Sequence, residues 1–254
     1  MRPHNSVQHP AAQLADLILV QLSNWRWAWP QLVLTGLVAP LASMLALSTV
    51  SGGANRSLNE HILVGMLMFA LLFQNQNQVA GNFSFMKANG TLEFFAAQPV
   101  SRVLLAIATV GAFFLLSLPA LLVIVVVGAL VLGVGLSLSP WLLVVVPLCV
   151  VSAAGIGALI GSLTNTMEES GAASLVVTFL MTGCGPVLIP ADRLPAAINA
   201  IGVLNPATYA ASALRASLTG TVGSRLPVDL AVLALFAAGV LLLLVKRMPW
   251  RMRR

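Results

Sequence analysis

Long apolar segments separated by short polar ones run along most of the chain. A helix needs about 20 apolar residues to cross the hydrocarbon core of a bilayer. The segment from Val103 to Met167 contains no Asp, Glu, Lys or Arg. It is too long for one crossing and long enough for two, with a turn between Gly133 and Pro140. We therefore expect an all-α polytopic membrane protein, a single domain over residues 1–254. The pattern predicts six transmembrane helices, at residues 32–50, 62–82, 103–132, 141–163, 171–189 and 228–245.

Residues 10–29 have a different pattern, with apolar side chains at three- and four-residue spacing and polar side chains around the rest of the helix. This periodicity predicts an amphipathic helix that lies along the membrane interface and does not cross it. Trp25, Trp27 and Trp29 suit the headgroup layer, where aromatic rings with a polar edge are enriched. The segment is thus expected to be an interface helix ahead of the first span.

Hydrophobicity falls between residues 190 and 226, where Pro190, Pro195, Pro206 and Gly220 divide the chain into short pieces. Each piece is too short to cross a bilayer. Irregular backbone is not tolerated where it faces lipid, so these pieces must pack on protein. We expect a re-entrant region of one or two small helices.

Two features inside the spans predict contacts between helices. The second span loses its apolar character in a run of Gln and Asn residues, which either hydrogen-bond to neighbouring helices or line a transport path or dimer interface. The fourth span has small residues at four-residue spacing, which permit close approach of another helix. The candidates are Gln74, Gln78 and Asn82 for the polar face, and Ala153, Gly157 and Gly161 for the packing stripe.

Composition supports the membrane interpretation, since 59% of the residues are hydrophobic and only 8% are charged. Soluble domains carry about 25% charged residues. The net charge of +6 does not indicate nucleic-acid binding, because the basic residues flank apolar segments and form no stripe with exposed aromatics. Lys and Arg are in excess on the side that holds both termini and residues 84–102. Both termini are therefore expected in the cytoplasm, with the basic C-terminus against anionic lipid, and residues 190–226 outside.

The sequence offers little for catalysis within the membrane. It contains no GxSxG or HExxH motif, its three histidines lie outside the predicted spans, and Cys149 and Cys184 lack metal-ligand spacing. Acidic residues are absent from the interiors of the predicted spans, which argues against a proton-coupled carrier and leaves sodium coupling open. No GxxxxGK[ST] motif is present, so energy from ATP would have to come from another polypeptide. We expect no enzyme activity, cofactor or metal on this chain.

Residues 89–102, NGTLEFFAAQPVSR, join the second and third spans. They are either a plain loop or a short helix with an apolar patch. The run Gly90-Thr91-Leu92-Glu93-Phe94-Phe95, with Pro99 and Arg102 after it, resembles the cytoplasmic coupling helix of type-2 ABC exporter permeases. The later residues Pro190, Pro195, Asn205, Pro206, Tyr209 and Arg215 look like the extracellular re-entrant region of the same family.

The resemblance covers essentially the whole chain, although the second span is more polar than is usual in the family. It implies the membrane subunit of a plasma-membrane exporter for a hydrophobic or amphipathic cargo, such as a drug, a natural product, a lipid or a lipid-linked glycan. Drug cargo would mean multidrug efflux and antibiotic resistance. Its implied partners are two cytoplasmic ATPase subunits, which bind ATP and Mg, and a second permease, identical or related. A non-transporting membrane scaffold and a secondary carrier are the alternatives.

The resemblance also implies roles for single residues. Glu93 would lie at the ATPase interface, unless it only caps its own helix, and Phe94 and Phe95 would fill an apolar cleft of the ATPase. Arg102 would anchor the segment to lipid headgroups. Arg215 would contact headgroups or close the outer end of the transport path.

Overall fold

A computed structural model describes residues 10–25, 29–51, 56–98 and 101–247. All regular secondary structure in these ranges is helical, which confirms the all-α class. A π-helical turn at Leu72–Asn77 continues α3 into α4, and a 3-10 turn at Ala191–Arg193 precedes α9. The α-helices are α1 Pro10–Trp25, α2 Trp29–Ser51, α3 Arg56–Leu71, α4 Gln78–Ala88, α5 Thr91–Ala96, α6 Arg102–Leu132, α7 Leu142–Leu163, α8 Met167–Gly183, α9 Ala196–Gly202, α10 Pro206–Thr219 and α11 Leu226–Arg247.

Four helical segments within the described ranges are long and apolar enough to cross a membrane. They are Arg56–Ala88, Val103–Leu132, Leu142–Leu163 and Leu226–Lys246, and they match the second, third, fourth and sixth predicted spans. The first and fifth predicted spans fall on α2 and α8, which have 23 and 17 residues. The count of six crossings therefore stays a prediction.

Two predicted spans differ from the observed helices at both ends. The second helical segment begins at Arg56 rather than at residue 62 because Arg56 and Glu60 form an ion pair one turn apart, at 3.1 Å, in its first turn. His61, which was predicted to lie outside the spans, is therefore part of this helix, and the segment runs on to Ala88 rather than ending at residue 82. The fifth begins at Met167 because Thr166 caps it, and it ends at Gly183 rather than at residue 189.

The helices run alternately between two ends of a bundle. At one end, the Asn59 side chain of α3 donates a hydrogen bond to the carbonyl oxygen of Leu132, the last residue of α6, at 2.9 Å. At the other end, Lys87 near the end of α4 contacts the end of α7. We refer to these as the Asn59 end and the Lys87 end. The turn between α6 and α7 begins at Gly133, whose left-handed φ of 63° ends α6 as glycine commonly does.

The closest helix contact in the core joins α7 to the π-helical turn and α4. A β-carbon on Gly157 would overlap the carbonyl oxygen of Gln76, and one on Gly161 would overlap that of Ala80. Ala153, the first residue of the predicted packing stripe, is buried on the same helix. The small side chains therefore let two backbones touch, as in tightly packed membrane helices.

Helix α1 confirms the predicted helical structure of residues 10–25 and packs on α6. The Gln21 side chain donates to the Thr109 hydroxyl at 3.2 Å, and Ile18 lies next to Gly111. Thr109 and Gly111 are in the third of α6 nearest the Lys87 end. Trp27 lies outside the described residues, and the position of α1 at a membrane interface stays a prediction.

Candidate functional site

The turn between α4 and α5 reverses the chain at the Lys87 end. Gly90 has φ of 70°, the left-handed conformation that glycine adopts without strain. The amides of Glu93 and Phe94 donate to the Gly90 carbonyl at 3.1 and 3.2 Å, which starts α5 at Thr91. Since α5 ends at Ala96, the helix is shorter than the predicted one over residues 89–102. Pro99 and the side chain of Arg102 lie outside what is described, although Arg102 begins α6.

One side of α5 is fixed to the bundle and the other is free. Leu92 is buried in the main core cluster, and Phe95 packs against that cluster. Glu93 and Phe94 are exposed, with 60% of Phe94 accessible. The Phe94 and Phe95 rings meet edge to face, 5.7 Å between centroids, which orients the exposed ring. A rigid helix that displays an aromatic ring and a carboxylate is suited to contact another protein.

Lys87 links this turn to the end of α7. Its Nζ donates to the carbonyl oxygens of Thr164 at 2.8 Å and Ser162 at 3.4 Å, and to the Asn165 side chain at 3.1 Å. The last carbonyls of a helix have no partner within the helix, and a lysine there also complements the helix dipole. Lys87 thereby joins the α4–α5 turn to the α7–α8 turn. Lys87 was not among the site residues predicted from the sequence.

The α7–α8 turn is itself held by side chains. The Thr166 hydroxyl accepts from the Glu169 amide at 3.1 Å, and the Glu169 carboxylate accepts from the Asn165 amide at 2.9 Å. This reciprocal arrangement is close to a capping box, and it fixes the start of α8. Because Asn165 also accepts from Lys87, the turn connects α4, α7 and α8 at one point.

In the segment predicted to be re-entrant, Asn205 joins α10 to the end of α8. Its side-chain oxygen accepts from the Ala207 amide at 3.0 Å, and its Nδ2 donates to the carbonyl oxygens of Met181 at 2.7 Å and Cys184 at 2.9 Å. Pro206 occupies the first turn of α10, where its missing N–H is not needed. The asparagine therefore caps one helix at its start and a second at its end.

Other residues of this segment set its path. Pro190 precedes the 3-10 turn, and Pro195 precedes α9. The Tyr209 hydroxyl donates to the Val203 carbonyl at 2.7 Å, which ties α10 to the end of α9. Arg215 is half-buried on α10, with its Nε and Nη2 atoms away from the surface.

Helix α10 extends from the middle of the bundle to the Asn59 end. Pro206 lines a small cavity together with Met68 and Ser152, which lie near the middle of their long helical segments. At the other end of α10, the Ser137 amide donates to the Leu218 carbonyl at 2.8 Å, in the loop between α6 and α7. The chain thus enters the bundle partway and returns to the same end.

The polar run of α3 and α4 contacts two different helices. The Gln74 side chain lies against Gly36 of α2, whereas the Gln76 side chain donates to the Ser174 carbonyl of α8 at 3.1 Å. Gln78 is half-buried and Asn82 is buried. A π-helical turn holds more residues than an α-helical turn, which changes the spacing between Gln74 and the residues that follow it. That Gln74, Gln78 and Asn82 share one polar face stays a prediction.

Helix α8 has a buried polar row that our sequence analysis also missed. Ser170, Ser174, Thr178 and Thr182 are all buried. Their four-residue spacing was the available signal, since residues four apart share one helix face. Through Ser174 this row faces the π-helical turn, so the core between the two helices is polar.

The structure combines several long apolar helices around a polar core with a displayed helix at one end and a partly inserted segment at the other. This architecture is that of a polytopic membrane protein. The sequence model of the ABC-2 type transporter family matches residues 14–219, and the chain belongs to that family. The match includes α5 and α10. Members are membrane subunits of ABC transporters, generally not catalytic themselves, and the family implies an ABC ATPase partner. No curated protein gave a significant match to the chain.

Proposed function

We propose that this chain is the permease subunit of an exporter that moves a hydrophobic or amphipathic cargo out across the plasma membrane, driven by a separate ATPase. The observation that supports this most strongly is α5, which displays Glu93 and Phe94 while Leu92 fixes it to the core. An ABC-2 permease needs a contact through which its ATPase acts. Among the described residues, α5 has the chemistry for it.

The proposed topology has six spans, with both termini and α5 in the cytoplasm and α10 on the outer side. The excess of Lys and Arg in the sequence on the side of the termini supports this orientation. The Lys87 end is then cytoplasmic, and the Asn59 end is outside. Two ATPase subunits and a second permease, identical or related, would complete the transporter, as the paired architecture of such exporters implies.

Energy would pass from the ATPase through α5 to the bundle in two contacts. Closure of the ATPases displaces α5, which is rigidly attached to the core at Leu92. Lys87 then carries the displacement to the ends of α7 and the start of α8. A local displacement can switch packed helices between discrete arrangements. In this transporter the two arrangements would be the inward-facing and outward-facing states.

Replacing Glu93 with lysine is expected to weaken association with the ATPase. An exposed carboxylate paired with a partner's basic residue contributes up to about 1 kcal/mol, so charge reversal should reduce co-purified ATPase by about fivefold. ATP-dependent efflux from cells should fall in parallel. Co-purification from detergent-solubilised membranes and an efflux assay measure the two quantities.

Glu168→Lys is the matched control, since Glu168 is also exposed at the Lys87 end, in the first turn of α8. It should leave ATPase recovery unchanged. Equal losses from both variants would assign the contact to the whole cytoplasmic face instead of α5. A wild-type chain that recovers no ATPase would refute the exporter and favour a membrane scaffold.

A further inference from the structure

Arg215 on α10 has two buried donors without an acceptor. Its Nε and Nη2 make no hydrogen bond within the described part of the protein. A buried donor left unpaired destabilises the protein, and it does so more strongly on a charged group. The guanidinium group in this position therefore requires an acceptor from outside the described residues.

The identity of the two atoms indicates the kind of acceptor. Nε and Nη2 lie on the same edge of the guanidinium plane and point their hydrogens in parallel. Two parallel N–H groups match two oxygens of one carboxylate or phosphate. The free edge of Arg215 thus has the geometry for an oxyanion.

The charged neighbours of Arg215 are occupied elsewhere. Glu60 lies within electrostatic range of the guanidinium group but pairs with Arg56 at 3.1 Å. Arg225, also in range, pairs with Asp229 at 3.8 Å. Neither of these ion pairs includes Arg215. Asp229 is buried in the first turn of α11, so a buried acid is present at this end of the last span, outside the span interiors that were expected to lack acids.

An apolar cleft borders α10, the helix that carries Arg215. Its volume is about 460 Å³, and side chains of α3, α6, α7 and α10 line it. Leu218, three residues after Arg215, belongs to the lining, as does Leu67, seven residues after Glu60. Residues at these spacings share a helix face, so Arg215 and Glu60 lie on the faces of α10 and α3 that line the cleft. The volume is within the usual range of small-molecule sites, about 300–1,000 Å³.

We infer that Arg215 and this cleft form a binding site for an amphiphile with a phosphate or carboxylate headgroup. The headgroup oxygens accept from Nε and Nη2, and the alkyl chain occupies the cleft. The identification of this amphiphile as cargo rests on the proposed transport function. A cargo that binds at Arg215 would belong to the class of molecules with an anionic headgroup. Such a cargo would leave the protein at the Asn59 end.

Binding of monododecyl phosphate to the full chain, purified in a neutral maltoside detergent, tests the inference. The rise in thermal unfolding temperature during a titration gives the apparent Kd. Arg215→Gln should raise that Kd by roughly tenfold or more, since a hydrogen-bonded charge pair is lost. Arg193→Gln, which removes an exposed charge at the same end, should leave it unchanged.

Two further variants keep the test valid if Arg215→Gln does not fold. Arg215→Lys retains the charge but loses the paired donors, so its Kd should also rise. Glu60→Gln removes the nearby negative charge and should lower the Kd. Unchanged affinity in every variant would overturn the inference, and so would an equal, Arg215-dependent response to inorganic phosphate, which would indicate a free-anion site. ATP-dependent efflux by a chain that binds no dodecyl phosphate would refute this site and leave the proposed function intact.

Discussion

Replacing Phe94 with alanine is expected to separate the chain from its ATPase without unfolding it. The ring is 60% exposed, so its removal exposes no core. The few residues that dominate an interface, often aromatic ones at its centre, each cost about 2 kcal/mol or more when truncated. We expect Phe94 to be one of them, which corresponds to a loss of affinity of about thirtyfold. Titration of the purified ATPase onto the chain in nanodiscs measures the affinity, and thermal unfolding checks the fold.

Phe179→Ala provides the control for this prediction. Phe179 lies on α8 with 61% of its surface exposed, so both variants lose the same side chain from equally exposed sites. The control should bind the ATPase as the wild type does. Loss of affinity in both variants, or in neither, would be evidence against α5 as the docking helix.

Replacing Lys87 with methionine is expected to leave the ATPase bound but uncouple it from transport. Methionine keeps most of the length of the side chain and removes the three contacts to Ser162, Thr164 and Asn165. Loss of charged hydrogen bonds at a coupling point should cost about 2 kcal/mol, or roughly thirtyfold in efflux at a given ATPase activity. Proteoliposomes that report ATP hydrolysis and cargo movement together measure this ratio.

The matched variant is Lys246→Met, because Lys246 is exposed at the same end of the bundle. It should transport normally. If Lys87→Met transports normally as well, the link between the α4–α5 turn and α7 carries no energy. If it loses ATPase binding instead, Lys87 serves to hold α5 in place.

Local rules were sufficient to predict several features of the fold. Hydrophobic length located the long helices, because lipid permits few alternatives to a helix. Helix α6 ends at Gly133, where the sequence predicted a turn. The prolines of residues 190–226 divide that segment into short helices, as expected. Each of these signals depends on residues close together in the sequence.

The remaining features depend on residues far apart in the sequence. Lys87 contacts carbonyls 75 and 77 residues away, so nothing near it indicates its partners. The π-helical turn arises where Gly157 of α7 packs against the Gln76 backbone, and propensity does not predict it. Arg215 was expected at headgroups or at the end of a path, and only three-dimensional packing shows that two of its donors are buried.

Site-specific cross-linking in native membranes tests the central claim, that an ABC ATPase engages this chain at α5. A photoreactive amino acid is placed at Phe94 and, in a separate variant, at Phe179, and the adducts are identified by mass spectrometry. An adduct with a P-loop ATPase is expected from position 94 and none from position 179. No ATPase adduct from position 94, or equal adducts from both positions, would contradict it.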